Sequence, residues 1–253
     1  MSTTSPAERI AVVAGLRTPF TKAGTALKSL RTVDLGATVV KELMARSELA
    51  PAEVTLCVYG QVVPSLDWLN IAREVVLRAG LPKSTDAFSV SRACATSLQA
   101  MTSAAESMLA GQHHVAIVGG ADSMSDVPLG VSRRLTAALL EAQKGKTLGD
   151  KLKAFSRLSP RDLVPPVPGF SREPTTGEQM GEAAEKMAKL NGITREEQDR
   201  IAHLSHVNAA RAWADGTYAA EVMHVIPPPF DKPVARDNLV RDDSTLEGYA
   251  KLS

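Results

Sequence analysis

The sequence predicts an α/β protein built on a largely parallel sheet covered by helices, and three observations carry that prediction. Short strand-like runs at 10–14, 54–59, 86–90 and 115–119 alternate with longer stretches of helical period over residues 1–120. The first, second and fourth are continuously apolar, which is what strands buried on both faces of a parallel sheet require. With 253 residues, 44% hydrophobic and 23% charged, the chain can bury one large core or two small ones.

Charge and composition exclude several classes. Twenty-nine Lys and Arg stand against 28 acidic residues, so no whole-molecule field points to nucleic acid. Two cysteines, Cys57 and Cys94, argue against a disulfide scaffold and for a reducing compartment. Residues 1–9 lack both the apolar core of a signal peptide and the Arg-rich, acid-free composition of a transit sequence. No run approaches a membrane-spanning length. The expected address is the cytoplasm.

Residues 10–14 read as a buried strand, and Gly15-Leu16-Arg17-Thr18-Pro19-Phe20 turns out of it. From Thr32 or Asp34, both able to cap, a helix runs to about Arg46 with Leu35, Val39, Leu43 and Met44 on one face. Pro51 separates it from the strand at 54–59, which Gly60 ends and in which Cys57 reads as packing. The next helix starts at Asn70 and closes on Gly80 before Pro82.

The strand at 86–90 leads into Ser91-Arg92-Ala93-Cys94 and a helix predicted over 95–110. Cys94 thus stands at the carboxyl end of a strand and the first turn of a helix, where unpaired amides and the macrodipole favour an anion. A thiol so placed is a candidate nucleophile; placement alone leaves open that it is a small packing residue. Ala95, Ser97, Ala100, Ser103, Ala104, Ala105 and Ala110 are small, which predicts that this helix is buried almost entirely. The last strand ends in Gly119-Gly120, and His113-His114 before it reads as surface.

Residues 130–153 tend to helix and become basic (Arg133, Arg134, Lys144, Lys146, Lys151, Lys153), and a proline-rich stretch follows to Pro168. Such runs serve as solvated surface or as docking surface. Gly145-Lys146-Thr147 lacks the strand and the earlier glycine of a phosphate loop. A helix over 177–190 closes on Asn191-Gly192, and Thr194 with Glu197 forms a capping box for a helix to Ala214. By spacing, Met180, Ala184 and Met187 read as core rather than ligand contact. His203 and His206 lie three apart without a third ligand at zinc spacing, so no metal is expected.

Ser91-Arg92-Ala93-Cys94-Ala95-Thr96-Ser97-Leu98-Gln99-Ala100 followed by Gly119-Gly120-Ala121-Asp122-Ser123-Met124-Ser125 resembles the nucleophile segment and next strand end of the thiolases. The wording is closest to the thiolase subunit of fatty-acid β-oxidation complexes. Arg17-Thr18-Pro19-Phe20, Asn70-Ile71-Ala72-Arg73, Met180-Gly181 with Ala184-Glu185 and Met187-Ala188, and 193–199 extend the resemblance along the chain. It implies a layered α-β-α N-terminal half at 1–125 and a helical, coenzyme A-binding loop domain at 126–253. A basic, proline-rich insertion at 141–174 would reach toward a partner subunit or, in the mitochondrial members, the membrane.

The resemblance implies acetyl-CoA C-acyltransferase (3-ketoacyl-CoA thiolase) chemistry. Cys94 is the nucleophile, Met180 touches the pantetheine arm and Arg241 lies against the adenine. Coenzyme A is a substrate and no cofactor is implied. Gln179 stands where many biosynthetic members carry histidine, and Gly248 where some carry serine. The partners implied are a second copy in the full-length form and a hydratase/dehydrogenase subunit.

The family's Gly-His-Pro, Cys-x-Gly and Asn-Glu-Ala-Phe motifs are absent from these 253 residues. The C-terminal half that carries them is therefore absent, and the expectation is a chain inactive alone. A β-ketoacyl synthase-like enzyme and a non-catalytic assembly module are the alternatives. Arg17-Thr18-Pro19-Phe20 and the coenzyme A segment speak against the first, and the basic insertion is what supports the second.

Overall fold

The computed structural model describes residues 9–128, 130–165 and 172–252. Residues 1–8, on which the expected absence of a leader rests, and 166–171 of the proline-rich stretch lie outside the described residues. The chain forms two compact units, one of Met1–Val127 with Gln198–Ser253, the other of Pro128–Glu197.

Three of the four predicted strands pair in the first unit. β1 (Leu56–Gly60) is central, with β2 (Asp86–Val90) and β3 (Ala116–Gly120) parallel to it on either side. Every residue of β1 is buried, and its side chains alternate between two cores as the pleat dictates. Cys57 and Tyr59 face helices α1 (Thr32–Ser47) and α2 (Ile71–Ala79), packing with Val33, Val40, Ile71, Val75 and Val76. Leu56 and Val58 face helix α3 (Thr96–Leu109) through Ala100 and Ala104. The sheet is thus the middle of three layers.

Local signals explain the register. The Asn70 carboxamide accepts from the Arg73 amide at 3.1 Å and donates to the Ala87 carbonyl at 2.9 Å, so the cap of α2 is also tied to β2. Gly80 ends α2 with φ 82°, a conformation that glycine adopts without strain.

Residues 10–14 do not form the predicted strand. They run as irregular chain, with Val13 89% exposed, and among the described residues 10–16 make no backbone hydrogen bond. A cavity of about 690 Å³ is lined by Val12, Ala14 and Leu16, by Ile117 and Gly119 of β3 with Ala121 just after it, and by Leu35, Val39 and Leu43 of α1. The apolar run is there, but among the described residues it pairs with no strand.

Helix α3 also departs from expectation. Only Thr96, Ala100 and Ala104 are buried, and Leu98 is 67% exposed. Its small residues serve one seam against the sheet, while among the described residues nothing covers its opposite face.

The second unit holds α4 (Arg133–Lys144), α5 (Leu148–Phe155), α6 (Met180–Leu190) and the first residues of α7 (Arg195–Ala214). The predicted helical stretch over 130–153 breaks at Gly145-Lys146-Thr147, where Thr147 and Asp150 form a capping box for α5. Ala138, Ala142 and Ala154 are the buried residues of α4 and α5, while Leu139, Leu140, Leu148 and Leu152 face outward. On α6 only Ala188 is buried, and Met180 and Met187 are exposed. The core reading of that methionine stripe is therefore corrected: a single partner seam, at Ala188, leaves the stripe outside.

The sequence expectation assigns all of 126–253 to one loop domain, whereas 198–253 packs with 1–127. Arg17 is the reason. Its guanidinium grips the Asp237 carboxylate with two hydrogen bonds, 2.7 and 2.9 Å, and lies 4.3 Å from the Phe20 ring centroid and 5.3 Å from that of Tyr218. Its backbone pairs with Glu221 and Met223, and the Phe20 amide donates to Asp237 at 2.7 Å. The Arg-Thr-Pro-Phe phrase is a clamp on the end of the chain.

Burial pushes the Asp237 carboxyl up, but the Arg17 fork and the Phe20 amide outweigh it and hold the group below the usual carboxylate range. A depressed carboxylate contributes stability that is present above its unfolded value, about 3.9, and lost as pH falls through the folded value. Asp237→Asn should therefore cost about 2 kcal/mol near pH 7. The gap from wild type, read by urea unfolding, should close below about pH 4; an equal gap at about pH 3 would contradict the assignment.

Candidate active site

The carboxyl ends of β1, β2 and β3 bring together Gly60, the 91–95 turn and Gly120. A Cβ on Gly60 would strike the Thr96 methyl and stand 2.7 Å from the Val90 carbonyl oxygen; one on Gly120 would stand 2.9 Å from Ser97 Oγ. Both positions require glycine because the start of α3 rests against the strand ends. Sequence reading treats these residues only as strand terminators, and their contact with α3 is a tertiary fact that no local pattern carries.

The turn itself is built around Thr96. Its hydroxyl donates to the Ala93 carbonyl at 2.7 Å and accepts from the Arg92 amide at 2.8 Å. Ala93 adopts φ 45°, a left-handed conformation that costs a non-glycine residue about 1–2 kcal/mol and persists where surrounding bonds enforce it. Backbone bonds from Ala95 to Arg92, 3.0 Å, and from Thr96 to Ala93, 3.1 Å, close the turn. Arg92 reaches along α3 to Gln99 at 2.7 Å.

Cys94 rides this turn and is exposed, whereas Cys57 is fully buried. The amides of Cys94, Ser97 and Leu98 have no backbone acceptor among the described residues. Together they form the unpaired N-terminal end of a 14-residue helix, the kind of end that can receive an oxyanion. Burial pushes the Cys57 thiol up to about 12, in keeping with a packing role. Beside the turn, the Asp122 carboxylate accepts from the Val62 and Val63 amides at 2.9 and 2.8 Å, fixing the loop that leaves β1.

The other predicted contacts fall elsewhere. Met180 opens α6 in the second unit and is 66% exposed. Arg241 lies in the first unit, exposed, with its backbone amide donating to His206 Nδ1 at 3.1 Å. Ser244, Thr245, Gly248 and Tyr249 line a cavity of about 160 Å³ beside it. Thr245 caps the one-turn α8 (Leu246–Tyr249) by accepting from the Gly248 amide. His203 and His206 direct Nδ1 to Ser244 and to the Arg241 amide. His113 lies at the amino ends of the strands, against Thr55.

The fold is a layered α/β protein that carries an exposed cysteine on a strand–turn–helix at the carboxyl ends of its parallel strands, where open α/β sheets place their ligand sites. The family can be given more narrowly. Residues 10–253 match the thiolase N-terminal domain model, and the chain belongs to the thiolase family. It is 51% identical over 249 residues to a 3-ketoacyl-CoA thiolase of Escherichia fergusonii, covering 98% of this chain and 57% of that one. It is 52% identical, with the same coverage, to one of Cronobacter sakazakii. An acetyl-CoA acetyltransferase of Bacillus anthracis superposes with a TM-score of 0.80 at 29% identity, over 95% of this chain and 57% of that one. The Acat5 thiolase of Ascaris suum, solved with coenzyme A, superposes with a TM-score of 0.77 at 25% identity, over 95% and 56%. The chain spans a little over half the length of the relatives it matches.

Two outcomes test this geometry. Thr96→Val keeps the shape of the side chain but leaves the Arg92 amide without its acceptor and the Ala93 carbonyl with only the Thr96 backbone amide, so it should lower stability by about 1–3 kcal/mol in denaturant unfolding; a change within about 0.5 kcal/mol would contradict the role of Thr96. In native protein a thiol reagent should modify Cys94 alone, with Cys57 reacting only on unfolding, and Cys94→Ser should remove the native phase.

Proposed function

We propose that these residues are the nucleophile-bearing part of a 3-ketoacyl-CoA thiolase of fatty-acid β-oxidation. The observation that carries the proposal is Cys94, exposed among unpartnered helix N-terminal amides, in a chain 51% identical to a 3-ketoacyl-CoA thiolase. In the reaction the Cys94 thiolate adds to the 3-keto carbon of the acyl-CoA. The bond between C2 and C3 then breaks, its electron pair leaving with the acetyl-CoA fragment, which takes up a proton. The acyl group remains on Cys94 as a thioester. The thiol of free coenzyme A loses its proton, attacks that carbonyl and expels the Cys94 thiolate, so one thioester replaces another. The Cys94 amide is suited to stabilise the oxyanion formed in each addition.

Proton transfer in both halves needs a base and an acid. No Gly-His-Pro or Cys-x-Gly motif in these 253 residues supplies them. The polypeptide alone is therefore proposed to bind and hold, but not to turn over. Arg241 is assigned to the coenzyme's adenine and Met180 to its pantetheine arm, and the exposure of both supports a ligand-facing role.

The exposed leucines of α4 and α5, with Arg133, Arg134, Lys144, Lys151 and Lys153 around them, support a docking role for this basic region. The partner proposed is the hydratase/dehydrogenase subunit of a β-oxidation complex, with a membrane surface as the alternative. A homodimer and a cytoplasmic address complete the reading; no helix among the described residues is long and apolar enough to cross a membrane.

Incubation with acetoacetyl-CoA, followed by mass spectrometry of the peptide carrying Cys94, tests the proposal. A thioester on Cys94, formed slowly with water as proton acceptor and donor and lost in Cys94→Ser, is expected, with negligible steady-state thiolysis. Labelling that is equal in the variant would contradict the assignment of the nucleophile, and sustained thiolysis would contradict the division of labour between the two halves.

A further inference from the structure

Apart from the single turn of α8, residues 236–252 carry no regular structure, yet one face of α7 holds them at three heights. The Arg236 guanidinium lies 6.0 Å from the Trp213 ring centroid. His206 Nδ1 accepts the Arg241 amide at 3.1 Å. His203 Nδ1 lies 3.0 Å from Ser244 Oγ, which in turn donates to the Tyr249 hydroxyl at 3.3 Å. Positions 203, 206 and 213 share one face at 3.6 residues per turn. The contacts run in reverse order along the two segments, so 236–249 lies antiparallel along α7.

The contact at His206 differs in kind from the others. A ring nitrogen accepts a hydrogen bond only when it is unprotonated, and here it accepts from the backbone of Arg241 itself. A proton on Nδ1 would bring two N–H groups face to face. Within one turn of His206 on α7 the neighbours are Ala202, His203, Ala209 and Ala210, so His203 is the titratable one. The facing segment presents Arg241, Asp243 and Tyr249, together with Asp242, whose carboxylate pairs with Arg236 at 2.5 Å.

We propose that His206 is a positioning residue that sets Arg241 for coenzyme A through its neutral Nδ1, so that mild acid releases the 241–249 segment and weakens coenzyme binding. His203 secures the same segment one turn away through Ser244. The inference rests on the assignment of Arg241 to coenzyme A and adds to it the residue that holds Arg241 in place and the condition under which it lets go.

The test is calorimetric titration of coenzyme A into the wild-type chain, His206→Asn and His206→Ala at about pH 7.5 and about pH 5.5, the interval over which imidazoles titrate. Asparagine offers an acceptor oxygen at the place of Nδ1 and does not titrate. Protonation of the coenzyme's own phosphate is common to all three proteins and cancels in the comparison.

Wild type should weaken by about tenfold on acidification, as the loss of one hydrogen bond implies, and His206→Asn by less than about twofold. His206→Ala should bind weakly at both values. Amide exchange over 239–246, read by mass spectrometry and corrected for its intrinsic pH dependence, is the second readout. It should rise in acid for wild type and stay level for His206→Asn. Equal pH dependence of wild type and His206→Asn, in binding or in exchange, overturns the role of His206. Absence of coenzyme A binding in all three proteins, with exchange still separating wild type from His206→Asn, overturns the coenzyme assignment of Arg241 and leaves the latch itself intact.

Discussion

One close approach governs the carboxyl edge of the sheet. Because β1 ends in a residue without a side chain, the Thr96 methyl and the Val90 carbonyl can lie against the α-carbon of Gly60. That contact lets α3 begin at the strand ends, and the Thr96 hydroxyl then ties the preceding turn through Arg92 and Ala93. Cys94 stands exposed at the head of a helix because of this sequence of contacts. The left-handed Ala93 is the local strain that the arrangement sustains.

A second anchor, Arg17, decides what belongs to the same unit. Two hydrogen bonds to Asp237 and two aromatic faces turn a phrase near the N-terminus into a clamp on residues more than 200 positions later. Helix α7 continues that work, meeting 236–249 through the Trp213 ring under Arg236 and through His206 and His203. The segment carrying Arg241 is therefore positioned by helix side chains and by very little regular structure of its own. The same packing explains why 198–253 joins 1–127 and not the helical region that precedes it.

Much of this was legible in the residues. Continuous apolar runs marked β1 and β3, Asn70 and Gly80 marked the ends of α2, and Thr194 with Glu197 marked the start of α7. The position of Cys94 between a strand and a helix was legible too, because period and small-residue content change at that point. The failures share a cause. Residues 10–14 have the composition of a buried strand, and α3 that of a buried helix, but burial needs a neighbour, and composition cannot say whether one is in place. The methionine stripe of α6 has core spacing but stays exposed for the same reason. Gly60 and Gly120 read as punctuation, and Thr96 carries no local signal, because their importance lies in contacts across the fold. His203 and His206 were weighed as metal ligands since spacing reveals a shared face but not what that face meets.

The central claim is that the turn between β2 and α3 makes Cys94 a better nucleophile than an ordinary cysteine. The rate of alkylation of Cys94 by iodoacetamide, measured at one pH in the folded protein and again in urea with Cys57 replaced by alanine, reads that claim directly. A native rate well above the unfolded one is what the geometry predicts; a native rate equal to or below it would show that the helix end and its free amides do nothing for this sulfur.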